Sequence, residues 1–305
     1  MSDPFRVEGP ACINFSGGRS SALMLRRVLD AHAGILPADV HVVFANTGKE
    51  RPETLDFVAA CAERWGVCIR WVERVGAEDV DDRWREVEYE TASRNGEPFA
   101  ELIDERKFLP NAVARFCTID LKILVARCFM RAEGYDHWTS VVGLRRDEAS
   151  RVAKVMAREN REWDMACPLY DARIVKADVS AFWRVQSFDL ALQSHEGNCD
   201  LCFLKGRATR ERLMRGRPDL AAWWAEQERR VGGRFHAHEP GYAATLERVR
   251  RLPLLPMDLD PEVEAVAVAC NCTDRRLPRV KRCVCNKRPG QGHTVACVLA
   301  QQEAA

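Results

Sequence analysis

Six consecutive residues, Ser16-Gly17-Gly18-Arg19-Ser20-Ser21, carry the clearest chemistry in this sequence. They follow an apolar, strand-like run from Ala11 to Phe15 and open an amphipathic run from Ala22 to Leu29. A strand, a glycine turn and a helix N-terminus make a cradle for phosphate. The glycines let the backbone approach an anion, the first helical N–H groups donate to its oxygens, and Ser20 and Ser21 add hydroxyls. The run is neither G-x-x-x-x-G-K-[ST] nor G-x-G-x-x-G, which disfavours a P-loop NTPase and a nicotinamide-dependent dehydrogenase. Six residues alone fit an ordinary surface turn equally well, so the rest of the chain decides.

Cations and thiols recur further along. Lys122, Arg145 and Arg146 supply positive charge for phosphate or sulfate oxygens, the arginines bidentately. Glu53, Asp147 and Glu148 are candidates for a Mg²⁺ ion bridging phosphates; a solvated charge cluster is the ordinary alternative. Cys117 stands alone between Arg115 and Lys122, where two cations and a helix N-terminus are expected to favour the thiolate. That marks it as a nucleophile, a persulfide carrier or a cluster ligand, against a core cysteine beside Phe116. With 13 cysteines and no sign of a secreted chain, close pairs read as metal ligands rather than disulfides. Cys199 and Cys202 form a C-x2-C knuckle, and Cys270 with Cys272 is the next close pair. Together the four are the favoured ligands of a [4Fe–4S] cluster or a Zn²⁺ ion. A local set of Cys270, Cys272, Cys283 and Cys285 is the rival grouping, and Cys12, Cys61, Cys68 and Cys128 are assigned to the core.

The elements that must hold these groups alternate. His41–Ala45 is a second strand, and Asn46-Thr47-Gly48 a turn. A helix begins at Pro52 and closes at Gly66, and Cys68–Val72 is a third strand. A helix from Leu121 to Met130 and a fourth strand, Trp138–Val142, follow. Such alternation predicts a parallel twisted sheet with helices on both faces, and the motifs fall after strands, where these sheets bind ligands. Beyond Asp178, read as the N-cap of a helix, the pattern is helical and cysteine-bearing. The expected organisation is a nucleotide-binding α/β domain over 1–180, a helical metal-binding appendage over 181–274 and a basic tail over 275–305. The 46 basic residues nearly cancel the 45 acidic ones, so a general polyanion binder is excluded and any contact with tRNA or DNA must use local basic patches. The first ten residues lack an apolar signal core and no apolar run nears the roughly 18 residues of a membrane span, so a cytoplasmic protein is expected.

Taken in order, these motifs resemble the phosphoadenosine phosphosulfate (PAPS) reductase family of PP-loop proteins, particularly its phage-type and prophage-type members. The Ser16–Ser21 loop is similar to the family's pyrophosphate loop. Asn46-Thr47-Gly48 with Pro52-Glu53-Thr54 resembles its D-T-G-x-x-x-P-E-T segment, with asparagine in place of the usual aspartate. Arg115-Phe116-Cys117-Thr118 with Lys122 resembles R-x-C-…-K. Gly143-Leu144-Arg145-Arg146-Asp147-Glu148 is similar to G-x-R-x-[DE]-E, and Pro168-Leu169 with Asp178-Val179 to P-L-…-D-V. The resemblance implies a Rossmann-like PP-loop fold over the first two-thirds of the chain. It implies adenine-nucleotide contacts from Ser16 to Ser21, Asn46, Thr47, Gly48, Glu53, Gly143, Arg145 and Arg146, and catalytic roles for Cys117, Lys122 and Arg145. The family's E-C-G-[IL]-H motif, whose cysteine attacks sulfur, does not occur in the sequence. ATP cleavage between the α- and β-phosphates, with sulfur or nitrogen transfer and a sulfur donor as partner, therefore leads over PAPS reduction or sulfotransfer. A metal-stapled nucleic-acid-binding module is the reading from another class.

Overall fold

Short β-branched and aromatic runs, each followed by an amphipathic segment, build one six-stranded sheet in the computed structural model, which describes residues 3–157, 162–193, 195–197 and 199–252. β1 (Ala11–Asn14) leads through the glycine turn into α1 (Arg19–Ala31), and β2 (Val40–Asn46) into α2 (Pro52–Trp65). The second helix keeps the boundaries read from sequence: Pro52 opens it and Gly66 closes it in the left-handed conformation, φ 60°. β3 (Ile69–Glu73), β4 (Arg85–Val87) and α3 (Glu97–Arg106) follow. α4 (Phe116–Thr118) then runs into a π-helical turn, Ile119–Ile123, and on into α5 (Leu124–Ala132). β5 (Trp138–Val142), a 3₁₀ turn at Arg146–Glu148, α6 (Ala149–Met156) and β6 (Trp163–Ala166) complete the sheet.

The strand order is β4-β3-β2-β1-β5-β6, parallel throughout except for the antiparallel β3–β4 pair at one edge. Chain order reverses at β1, whose Ala11 is registered on Val40 of β2 and on Thr139 of β5. That reversal is the crevice where open α/β sheets take their ligands. Alternate strand residues face opposite layers. Ile13, Val42 and Phe44 pack with α1, α2 and Trp183 of a later helix, whereas Cys12, Val43 and Val72 pack with Val125, Phe129 and Met130 of α5. The expected sheet with helices on both faces is present.

The remaining elements are α7 (Pro168–Asp171), α8 (Lys176–Arg184), α9 (Arg207–Gly216), a 3₁₀ turn at Pro218–Leu220, α10 (Ala221–Val231) and α11 (Tyr242–Arg251). Asp178 is not the cap of α8. Val175 is, and Asp178, three residues in, reaches back so that its Oδ2 accepts the Val175 N–H at 2.8 Å. Residues 201–242 do not form a core of their own. Leu201, Phe203, Leu213 and Trp224 share one with Phe99, Leu102 and Ile103 of α3 and with Phe116 and Leu121. One compact unit spans Met1–Glu247, and a second begins at Arg248. Cys12, Cys61 and Cys128 are buried as expected; Cys68 is exposed, because β3 begins one residue later and leaves it on the connecting turn.

Candidate functional site

The glycine turn is shaped from inside. Gly17 sits at φ +70°, and a Cβ there would stand 2.6 Å from Thr54 Cγ2 and 3.1 Å from Val58 Cγ2, both on α2. Gly17 therefore lets the turn press onto the core. The ligand side belongs to Gly18, where an added Cβ meets nothing nearer than Ser16 Oγ at 3.7 Å. Ser21 is buried and folds the turn: its Oγ accepts the N–H groups of Ser16 (3.2 Å) and Gly18 (3.3 Å) and donates to the Gly18 carbonyl (2.9 Å). Its hydroxyl serves the turn and also accepts from Ser16 Oγ at 2.9 Å, which leaves Ser20 and the first N–H groups of α1 on the open side. Arg19 turns away. Its guanidinium donates to both oxygens of Asp189 (2.7 and 2.8 Å) and to the Leu192 carbonyl (2.9 Å), which leaves its backbone N–H as its contribution to the cradle.

The loop after β5 closes the other side of the crevice. A Cβ on Gly143 would lie 3.0 Å from Ser21 Cα, so glycine is required for the two loops to touch. Arg145 donates from Nη1 to Ser20 Oγ at 2.9 Å and pairs with Asp147 (3.0 Å) and Glu148 (3.2 Å). The bond to Arg145 holds the Asp147 carboxyl below its usual range. Arg146 points elsewhere, its guanidinium 4.5 Å over the Tyr170 ring. The acids expected to gather a Mg²⁺ ion are not gathered: Asp147 and Glu148 serve Arg145, and Glu53 pairs with Arg51 at 3.2 Å. Burial raises the Glu53 carboxyl, but its backbone bond and Arg51 outweigh that and keep it below the ordinary value. Among the described residues no three His, Cys, Asp or Glu side chains converge as a metal site.

The end of β2 forms a third wall. Asn46 is 0 % exposed, and every polar position on its side chain is used: Nδ2 donates to Glu73 Oε1 (2.6 Å) and the Ser93 carbonyl (2.8 Å), and Oδ1 accepts the Gly48 N–H (3.2 Å). It holds the turn, and both of its N–H donors are spent there. Gly48, at φ +74°, packs on Gly96, whose Cα would lie 3.0 Å from an added Cβ. Beyond it Lys49 pairs with buried Asp200 at 2.8 Å, and Asp200 also accepts from Trp224 Nε1 at 2.7 Å. A backbone bridge joins Glu50 to Cys199. Thr47 Oγ1 lies 3.8 Å from Cys199 Sγ.

Cys117, Cys199 and Cys202 are half-buried and pack on one apolar cluster, so the structure brings Cys117 to the knuckle. Cys270 and Cys272, the other two expected metal ligands, lie outside the described residues. The expected activation of Cys117 is reversed. Burial, reinforced by Cys202, raises its thiol above the ordinary value and outweighs Thr118 and Lys122, which pull it down. A raised pKa keeps the thiol protonated at neutral pH. Iodoacetamide should accordingly modify Cys117 of the nucleotide-free protein more slowly at pH 7.5 than a free cysteine of pKa about 8.5, with the rate climbing only at more alkaline pH. Peptide mass spectrometry against exposed Cys68 provides the internal standard, and a Cys117 that outpaces Cys68 would contradict this protonation state.

This arrangement of loops can be set beside known proteins. Residues 10–184, more than half of the chain, match the phosphoadenosine phosphosulfate reductase domain. The chain belongs to that family. A relative within reach of the PAPS reductase family member described here is the uncharacterized nin region protein ORF290 of Escherichia phage lambda, 30% identical over 201 residues, or 63% of this chain and 65% of the relative. The chain thus spans just under two-thirds of the length of that curated relative. Among solved structures, the U34-tRNA thiolase NcsA from Methanococcus maripaludis with its [4Fe-4S] cluster is similar at a TM-score of 0.43 and 12% identity, covering 83% of this chain and 76% of that one. In this PAPS reductase family member Lys49, Glu50, Glu73 and Asp200 are buried and paired around the turn after β2, and none was singled out from sequence. Charged side chains are solvated by default, and only their spatial partners, Lys122 for Glu50 and Asn46 for Glu73, show otherwise.

Proposed function

We propose that this protein binds ATP or a related adenine nucleotide in the cradle between the Ser16–Ser21 turn and the Gly143–Glu148 loop, and cleaves it between the α- and β-phosphates. The observation that carries this reading is the joining of the two loops across the β1/β5 reversal, Arg145 to Ser20, with Gly18 facing open space. A substrate oxygen would attack the α-phosphorus to give an adenylate and release pyrophosphate. The backbone N–H groups of Arg19 and Ser20, at the start of α1, and the Arg145 guanidinium would stabilise the leaving charge. A sulfur or nitrogen nucleophile would then displace AMP, with Lys122 and the Cys117 thiol at the adjoining wall. Sulfonucleotide reduction, or sulfotransfer from PAPS, is the second reading, favoured by the family match itself. The missing E-C-G-[IL]-H cysteine weighs against it.

Pyrophosphate release from ATP, measured beside thiol-dependent sulfite release from PAPS, separates the two. A single variant ties either activity to the cradle. Gly18 has φ −105° and ψ 159°, an extended conformation that valine favours, and an added Cβ meets nothing nearer than Ser16 Oγ at 3.7 Å. Gly18→Val, at the N-cap of α1, should stay folded with a loss of stability of about 1 kcal/mol, while nucleotide affinity falls about a hundredfold, a loss of roughly 2.7 kcal/mol of binding. Calorimetric titration with ATP and with PAPS reads the result, and wild-type affinity for both in Gly18→Val would exclude this cradle as the nucleotide site.

A further inference from the structure

Glu50 falls at an unspecified position within the D-T-G-x-x-x-P-E-T-like segment, yet its side chain is 2% exposed in the third wall. A carboxylate taken out of water must be paired and hydrogen-bonded. Its Oε2 accepts the Thr47 N–H at 2.9 Å and the Thr47 hydroxyl at 2.7 Å, which leaves Oε1 for Lys122 Nζ at 3.2 Å. We propose that Glu50 is the positioning residue for Lys122, fixing the ammonium where the nucleotide crevice adjoins Cys117, Cys199 and Cys202.

Two independent features converge on that one lysine. Lys122 leaves the π-helical turn Ile119–Ile123, a departure from α-helical register that interrupts the run from Phe116 to Ala132. Such turns are rare and concentrate at functional sites. Lys122 also has an alternative to Glu50, because about a third of its side chain is exposed and its flexible stem could carry the ammonium into water. The Glu50 carboxylate removes that freedom, since its own orientation is set by two bonds to Thr47. The pair raises the Lys122 ammonium above its ordinary value despite the burial that pulls it down, so the charge stays in place. The Thr47 hydroxyl has one proton, which it gives to Glu50. Its lone pairs therefore face the Lys49 N–H at 3.3 Å and the Cys199 thiol at 3.8 Å. Glu50 thus orders both the cation and the polar neighbour of the thiols. The catalytic part of this assignment rests on the proposed nucleotide cleavage; the positioning part does not.

The test is Glu50→Gln in the full chain, which keeps an acceptor for Thr47 and removes the charge. ATP affinity should stay within about twofold, because the cradle is untouched, while kcat for pyrophosphate release falls roughly tenfold to a hundredfold from misplacement of Lys122. Glu50→Asp, too short to meet Thr47 and Lys122 together, should show the same split. A fold-only role would instead lower the melting temperature and leave kcat per folded molecule unchanged, and that result would overturn the proposal. A second measurement needs no turnover: acetylation of Lys122, followed by peptide mass spectrometry, should be faster in Glu50→Gln than in the wild type. Equal labelling in both proteins would refute the positioning of Lys122 even if ATP cleavage is confirmed. Faster labelling in a protein that releases neither pyrophosphate nor sulfite would leave the positioning intact and remove the proposed reaction.

Discussion

Replacing Gly17 with valine should destabilise the protein by roughly 3–5 kcal/mol, from the cost of a left-handed backbone at a β-branched residue and from overpacking of the core beneath it. The φ of +70° admits glycine readily, and the added Cβ would have to share space with Thr54 Cγ2 at 2.6 Å, Val58 Cγ2 at 3.1 Å and Phe44 Cε2 at 3.2 Å. None of these can withdraw cheaply, since Thr54, Val58 and Phe44 are themselves at most 3% exposed. Chemical denaturation is the measurement, with the midpoint shifted and the slope preserved. The contrast with Gly18→Val is the informative part: adjacent glycines of one turn fail in different ways, the first by loss of fold and the second by loss of ligand. A Gly17→Val protein as stable as wild type would show that the turn does not press on α2.

Asn46→Asp should cost a comparable 3–5 kcal/mol at neutral pH, the penalty for leaving a buried charge uncompensated. The asparagine amide donates to Glu73 Oε1 at 2.6 Å and to the Ser93 carbonyl at 2.8 Å, and an aspartate would present acceptors to both. Arg85 already pairs with the other oxygen of Glu73 at 2.7 Å, so no cation is left over for a second carboxylate among these contacts. Crowded against Glu73, the new carboxyl would have its pKa raised above the unfolded value of about 3.9, because only its protonated form can donate. A raised carboxyl pKa gives stability that is full below the unfolded pKa and is lost as pH rises through the folded one. The deficit relative to wild type should therefore be small near pH 4 and reach its full size at neutral pH. Thermal unfolding across that range checks the sign, and a deficit that grows on acidification would refute the assignment. The same geometry accounts physically for asparagine at a position where the resemblance calls for aspartate: Glu73 requires a donor there.

The α/β half of the fold was legible because its signals are local. Proline at the start of α2, glycine beyond its end and short continuous apolar runs for strands covered on both faces are all short-range consequences of backbone sterics and burial. The π-helical turn was not, since Ile119–Ile123 has ordinary helical composition and reads as the first turn of a continuous helix. Nor was β4, a three-residue edge strand, Arg85-Glu86-Val87, whose exposed charges resemble a loop. The direction of the Cys117 shift was misread for a related reason. Sequence shows the neighbouring Arg115 and Lys122 but not the burial that outweighs them or the approach of Cys202. Within the candidate site, the placement of the Ser16–Ser21 turn between β1 and α1 was legible from type and spacing, whereas the buried carboxylates Glu50, Glu73 and Asp200 required knowledge of partners as far as 151 positions away, the distance from Lys49 to Asp200.

That last pairing has a consequence for synthesis. The sheet, the Ser16–Ser21 turn and the Gly143–Glu148 loop are encoded before residue 185, but Lys49 and the backbone of Glu50 meet Asp200 and Cys199 only once the chain has reached residue 200. As the chain leaves the ribosome, its first half would expose the rim of the third wall and the flank of α3 that later helices cover. Docking of 199–224 closes contacts of long sequence separation, which are slow to form because loop closure precedes any gain. A nascent chain stalled near residue 190 would hold the glycine turn beside an unfinished wall, open to proteases and chaperones at the place where the completed molecule pairs Lys49 with Asp200.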